Sequence, residues 1–176
     1  PDKLGDSDGM VDAPVMSASI LTNNIQVAIL AFAGGITFGL LTVYVLIYNG
    51  IIVGAIAALF WHYDMTYEFW AYIVPHGMIE LTAIFIAGGA GLLMGYKLFV
   101  PGEYSRGYQL KRNAKRSVQL LIGTIPLFII AGIIEGFITP AAISLEAKYL
   151  VAGLTVIGLI LYVALGSLKL RKAQLQ

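Results

Sequence analysis

The chain has 176 residues, of which 59% are hydrophobic and 12% are charged, and its mean hydropathy is +0.83. Soluble domains are about 45–50% apolar and about 25% charged, so the composition excludes an ordinary soluble domain. Eleven basic residues against ten acidic ones leave a net charge of +1, which excludes nucleic-acid binding through a basic surface. The absence of cysteine excludes disulfides and thiolate metal sites. These properties predict an integral membrane protein.

The first segment, residues 1–19, is predicted to be an acidic connector outside the membrane. Residues 1–14 are polar and lack helical periodicity, which is typical of an exposed connector rather than of a helix. The chain begins with Pro1 instead of Met, so we expect it to be a processed product or a fragment.

Residues 20–170 are predicted to form an all-α, polytopic transmembrane bundle of about five segments. A helical span needs about 20 apolar residues, and four stretches are long enough: 25–48, 69–100, 118–138 and 149–168. Pro75 is expected to divide the second stretch, with the span itself starting near His76. A fifth stretch, 51–61, is about half the usual length and is predicted to be a short or re-entrant segment. A tight turn at Asn49-Gly50 would join it to the first span.

The basic residues predict the orientation of these spans. One loop contains six of them and three follow the last span: Lys97, Arg106, Lys111, Arg112, Lys115 and Arg116, then Lys169, Arg171 and Lys172. The positive-inside rule places both regions in the cytoplasm, with 171–176 as a cytoplasmic tail. The N-terminal connector and Lys148 then lie outside, and we expect a further span before Pro1. Residues 103–117 are interpreted as a solvated topology anchor, or alternatively as an amphipathic segment on the inner leaflet.

Three ionisable residues lie within the predicted spans: His76, Glu80 and Glu135. Each costs at least ~2.5–3.5 kcal/mol at the bilayer centre, so each requires a structural or functional reason. His76 and Glu80 are four residues apart and share a helix face with small residues, which indicates that they face the bundle interior. Because the two spans are antiparallel, Glu135 is expected at a similar depth, in the outer half of the bundle. We therefore predict a polar cluster of these three side chains with Asn23 or Asn24.

The chemistry of this cluster has three interpretations. One imidazole and two carboxylates supply three ligands for a divalent metal ion such as zinc. A hydrogen-bonded network that holds the helices together is the alternative, and proton or ion translocation is a third. No HExxH pattern or other complete catalytic set is present, so the sequence leaves open whether the protein is an enzyme.

Three blocks of residues resemble a known family. They are Asn23-Asn24-x-x-Val27-Ala28 leading to Asn49-Gly50, then His76-Gly77-x-x-Glu80-Leu81, then Glu135-Gly136-Phe137-Ile138-Thr139-Pro140. In these blocks the sequence resembles the stage II sporulation protein M family of bacterial and archaeal membrane proteins. The resemblance covers about residues 23–140 and implies a multi-pass protein of the cell membrane whose motif residues are His76, Glu80 and Glu135. The family's sporulation member is a membrane anchor for a complex that remodels peptidoglycan with partner hydrolases.

We therefore expect an integral membrane scaffold or organiser that recruits cell-envelope-remodelling partners. The alternatives are a metal-dependent membrane enzyme that uses the cluster, or a transporter of small solutes or ions. The expected partners are membrane lipid and other membrane or cell-envelope proteins, and GxxxG steps such as Gly50/Gly54 leave a homodimer open. No nucleic-acid partner is expected.

Overall fold

A computed structural model of the chain describes residues 8–174, with side chains described for residue 15 and, without interruption, for 18–165. The described residues contain no strand. They form six α-helices and one short 3-10 helix: α1 (Asp8–Ala33), the 3-10 helix (Gly34–Thr37), α2 (Leu40–His62), α3 (Thr66–Phe99), α4 (Arg106–Gly123), α5 (Ile125–Phe137) and α6 (Leu145–Gln174). The all-α prediction is confirmed.

Five helical segments are long and apolar enough to cross a membrane: Ala18–Thr37, Leu40–His62, Thr66–Phe99, Arg106–Phe137 and Leu145–Leu165. The fourth combines α4 and α5, which are separated only by Thr124. The prediction of a polytopic bundle with about five membrane segments is confirmed. α3 lies at its centre, because it contacts each of the other helices.

The first reversal of the chain differs from its predicted position. Phe38 and Gly39 have φ angles of 59° and 79°, and this left-handed turn separates α1 from α2. The predicted span 25–48 and the predicted turn at Asn49-Gly50 are therefore wrong. The Asn49 side chain donates to the Val45 carbonyl at 2.8 Å, so it bonds to its own helix instead of forming a turn. As a result, the second segment is a full 23-residue helix instead of a short one.

The predicted division at Pro75 is also wrong. α3 continues through Pro75 as one helix of 34 residues. A proline removes one backbone hydrogen bond and usually kinks or ends a helix, but Pro75 is buried at the centre of the bundle. Its carbonyl accepts a hydrogen bond from Thr155 Oγ1 of α6 at 3.2 Å. Packing on several sides therefore maintains the helix where local propensity favours an interruption.

Two segments outside the predicted spans are helical. α1 begins at Asp8, so the prediction of an aperiodic connector is wrong over residues 8–14, and residues 1–7 lie outside the described part. Within the basic segment 103–117, α4 begins directly after Ser105. The Ser105 Oγ accepts from the Tyr108 backbone N–H at 3.3 Å and caps the helix. α4 then packs along α3 with Gln109 and Ser117 buried.

Small residues bring α1 and the 3-10 helix close to α3. A Cβ atom on Gly35 would lie 1.9 Å from the Gly91 carbonyl oxygen, so the two backbones touch at this point. Ala31 and Ala87 are completely buried in the same core cluster. Asn24 lies two helical turns before Ala31 on α1, and Glu80 lies two turns before Ala87 on α3. The same two helix faces therefore bring Asn24 and Glu80 together.

Candidate functional site: a buried polar network

His76 of α3 and Glu135 of α5 form a close buried pair. The His76 Nδ1 atom lies 2.7 Å from Glu135 Oε2, and both side chains are 4% exposed. Thr139 Oγ1 donates to Glu135 Oε2 at 3.0 Å and lies 3.3 Å from His76 Nδ1. When Glu135 is ionised, its carboxylate only accepts, so His76 Nδ1 is the donor in this contact. The pair thus fixes the orientation of both side chains in the interior of the bundle.

Glu80 lies one helical turn further along α3 and has a different partner. Asn24 Nδ2 of α1 donates a hydrogen bond to Glu80 Oε2. Glu80 is 3% exposed, and its other oxygen, Oε1, is buried without a hydrogen-bond partner among the described residues. Asn23 is exposed and lines the same cleft as Asn24, His76 and Glu80.

Lys148 belongs to this network, although the sequence analysis placed it only on the outer side of the membrane. The residue is 1% exposed, and its Nζ donates to the Thr139 carbonyl at 2.6 Å. The same ammonium lies 3.6 Å from the centre of the Tyr72 ring, a cation–π contact. One signal was available in the sequence: Lys148 is a basic residue next to a predicted span on the side from which the positive-inside rule depletes cations.

The polar network consists of two neighbouring bonded groups, Asn24 with Glu80 and His76 with Glu135, Thr139, Lys148 and Tyr72, which together link four helices. Its members come from α1 (Asn24), α3 (Tyr72, His76 and Glu80), α5 (Glu135) and α6 (Lys148), and Thr139 follows α5 directly. If His76 is protonated, the imidazolium and the Lys148 ammonium balance the two carboxylates. The contact of His76 with Glu135 and the bonds of Lys148 offset part of the cost of burying these groups in the membrane interior.

The three predicted metal ligands do not form a ligand set in this arrangement. Across the described part of the chain, no group of three or more His, Cys, Asp or Glu side chains could hold a metal ion. His76 Nδ1 is already paired with Glu135, whereas Glu80 is bound by Asn24. The geometry therefore does not fit a three-ligand zinc site built from His76, Glu80 and Glu135, and zinc binding stays a prediction.

Sequence comparison identifies the family of the chain. A sequence profile described as Stage II sporulation protein M matches residues 3–140, more than half of the chain. The chain belongs to the stage II sporulation protein M family. The family assignment made from the three motif blocks is confirmed. The matched region contains the motif residues His76, Glu80 and Glu135, whereas Lys148 lies beyond it.

Two archaeal relatives are similar to this member of the stage II sporulation protein M family. An uncharacterized protein of Methanocaldococcus jannaschii is 38% identical over 128 residues, which cover 69% of this chain and 70% of the relative. A second uncharacterized protein of the same organism is 33% identical over 125 residues, covering 69% of this chain and 54% of the relative. No solved structure matches the chain.

Proposed function

We propose that the protein is a non-enzymatic organiser of the cell membrane, which holds cell-envelope-remodelling partners in the plane of the bilayer. The observation that supports this most directly is that the buried polar residues bind one another and so hold the helices together. His76, Glu135, Thr139 and Lys148 bind one another across three helices and an adjoining loop. Such a network rigidifies a bundle, which is what a platform for other proteins requires.

The α2 helix is the part of the bundle best suited to recruit a partner. Only Thr42 and Val45 are buried in Leu40–His62. Gly50 and Gly54, four residues apart, have nothing within 4 Å of the position that a Cβ would occupy. Close helix pairs in membranes form through small residues at this spacing. The glycines of α3, in contrast, are packed inside the chain, with the Gly91 Cβ position 2.5 Å from the Phe32 carbonyl oxygen.

We propose that a transmembrane helix of another cell-envelope protein binds to this Gly50/Gly54 face of α2. Photo-crosslinking in native membranes tests the assignment. Ala58, exposed and four residues after Gly54, is replaced by p-benzoylphenylalanine. We expect a discrete adduct that disappears when Gly54→Leu is added, because the larger side chain prevents close approach.

Gly89→Leu is the matched control, since Gly89 of α3 is also exposed with nothing near its Cβ position. This variant should leave the adduct unchanged. An adduct of twice the chain mass would identify a second copy as the occupant and overturn the proposed partner. The absence of any adduct, or an adduct insensitive to Gly54→Leu, would contradict recruitment through α2.

Elemental analysis separates this organiser from the metal-dependent enzyme that the sequence also allows. The purified protein is measured with and without chelator treatment, next to His76→Ala. We expect no stoichiometric metal in either protein, because His76 and Glu80 have separate partners. Stoichiometric metal that is lost in His76→Ala would overturn the non-enzymatic proposal.

A further inference from the structure

A cleft of about 300 Å³ lies between α1, α2 and α3, next to the polar network. Its walls are mainly apolar, and its polar lining comes from Asn23, Asn24, Asn49, His76 and Glu80. Ile52, Val53 and Leu81 line the cleft and are each about two-fifths exposed, at 39%, 43% and 44%. The cleft therefore opens sideways, through a gap bordered by aliphatic side chains.

This opening faces the hydrocarbon region of the bilayer. Glu80 lies fourteen residues into the 34-residue helix α3, which at about 1.5 Å per residue is roughly 21 Å from its start. That position is close to the middle of the helix, so it lies within the part of α3 that crosses the hydrocarbon region. A molecule that reaches Glu80 through the gap must come from the lipid phase, so it must be largely apolar.

Among the residues that line the cleft, Glu80 has an unused hydrogen-bond acceptor. Its Oε2 atom accepts from Asn24, but its Oε1 atom is buried and receives no hydrogen bond from any described residue. The nearby basic side chains are engaged elsewhere: His76 pairs with Glu135, and Lys148 binds the Thr139 carbonyl. A buried carboxylate oxygen without a donor favours an occupant that supplies one, and a positively charged donor gives the stronger bond.

We propose that this cleft binds a small lipophilic ammonium compound from the membrane, whose N–H group donates to Glu80 Oε1. Its hydrocarbon part lies against Ile52, Val53 and Ile56 of α2. The volume agrees with this class, because about 300 Å³ is at the lower end of the range for small-molecule pockets. The inference does not depend on the proposed organiser function, since it involves the inner side of α2 and not the Gly50/Gly54 face.

Radiolabelled n-octylamine, which is protonated at neutral pH, is the probe. Binding to the protein in lipid nanodiscs is counted over empty nanodiscs, so that partition into lipid is subtracted. We expect saturable binding of one molecule per chain. Unlabelled octyltrimethylammonium, which has the charge but no N–H donor, and n-octanol, which has a donor but no charge, should compete at least about tenfold more weakly.

Two variants remove the site in different ways. Glu80→Gln removes the charge and should weaken octylamine binding by about tenfold or more. Val53→Phe fills the cleft from an exposed position, so it should abolish binding without disturbing the core. Val43→Phe is its matched control, because Val43 is 46% exposed on the same helix and does not line the cleft.

The results distinguish specific binding from adsorption. Loss of binding in Val53→Phe and Glu80→Gln, with Val43→Phe unchanged, supports the site. If Glu80→Gln fails to fold, Val53→Phe and the competitor series decide the question. Non-saturable binding, equal competition by octyltrimethylammonium, or unchanged binding in Val53→Phe would overturn the proposal.

Discussion

The His76 Nδ1 atom of α3 and the Glu135 Oε2 atom of α5 lie 2.7 Å apart in a part of the bundle where both side chains are 4% exposed. Neither residue could remain charged alone at this depth without a large desolvation cost. Each therefore makes the burial of the other tolerable, and Thr139 Oγ1 adds a hydrogen bond to Glu135 Oε2.

Removing the carboxylate should destabilise the bundle. Glu135→Ala leaves His76 and Thr139 without their acceptor, and we expect a loss of about 1–3 kcal/mol in the free energy of unfolding. Glu135→Gln retains an acceptor of the same shape and should lose clearly less. Both are measured by denaturant unfolding in micelles with circular dichroism. Glu103→Ala, at an exposed position, is the control, and a Glu135→Ala protein as stable as this control would contradict the structural role.

The close packing of α1 and the 3-10 helix on α3 gives a second prediction. Gly91→Ala should lower stability by about 1–3 kcal/mol or more, because its Cβ would lie 2.5 Å from the Phe32 carbonyl oxygen. Gly89→Ala, two residues away with nothing near its Cβ position, should be neutral or slightly stabilising since alanine favours helix. The same unfolding assay measures both. Equal stability of the two variants would show that α1 and the 3-10 helix do not pack on α3 as described.

Lys148 should contribute to stability, because its ammonium is buried and bound inside the bundle. Lys148→Met keeps the length of the side chain but leaves the Thr139 carbonyl without its donor and removes the cation–π contact with Tyr72. We expect a loss of about 1–3 kcal/mol in unfolding free energy. Lys111→Met on the exposed side of α4 should change stability little. If Lys148→Met has the same unfolding free energy as the unmodified protein, Lys148 does not stabilise the network.

Membrane topology can be tested with single cysteines, because the native chain has none. Five crossings together with the positive-inside rule predict that Asp8 lies outside and Glu103 lies in the cytoplasm. Asp8→Cys should react with a membrane-impermeant maleimide in intact cells, whereas Glu103→Cys should react only after permeabilisation. Labelling of both positions from the same side would contradict five crossings.

Sequence alone determined the class of the protein and the residues of interest. Hydropathy and length predicted an all-α bundle with about five membrane segments, because the bilayer fixes how many apolar residues a helix needs. His76, Glu80 and Glu135 were identified because an ionisable group in an apolar span is costly wherever it lies. These properties are local, so each can be evaluated from a short window of residues.

Only the tertiary structure decided where the chain turns and which polar groups meet. Both Gly39 and Gly50 could serve at a reversal, and the contact of Gly35 with Gly91 accompanies the turn at Gly39. Each ionisable group of α3 finds its partner on another helix: Asn24 of α1 binds Glu80, and Glu135 of α5 binds His76. The sequence predicted only that Lys148 lies on the outer side of the membrane, whereas the packing of α6 places its ammonium over the Tyr72 ring. Such pairings depend on the rotation and approach of whole helices, which close packing sets and local propensity does not.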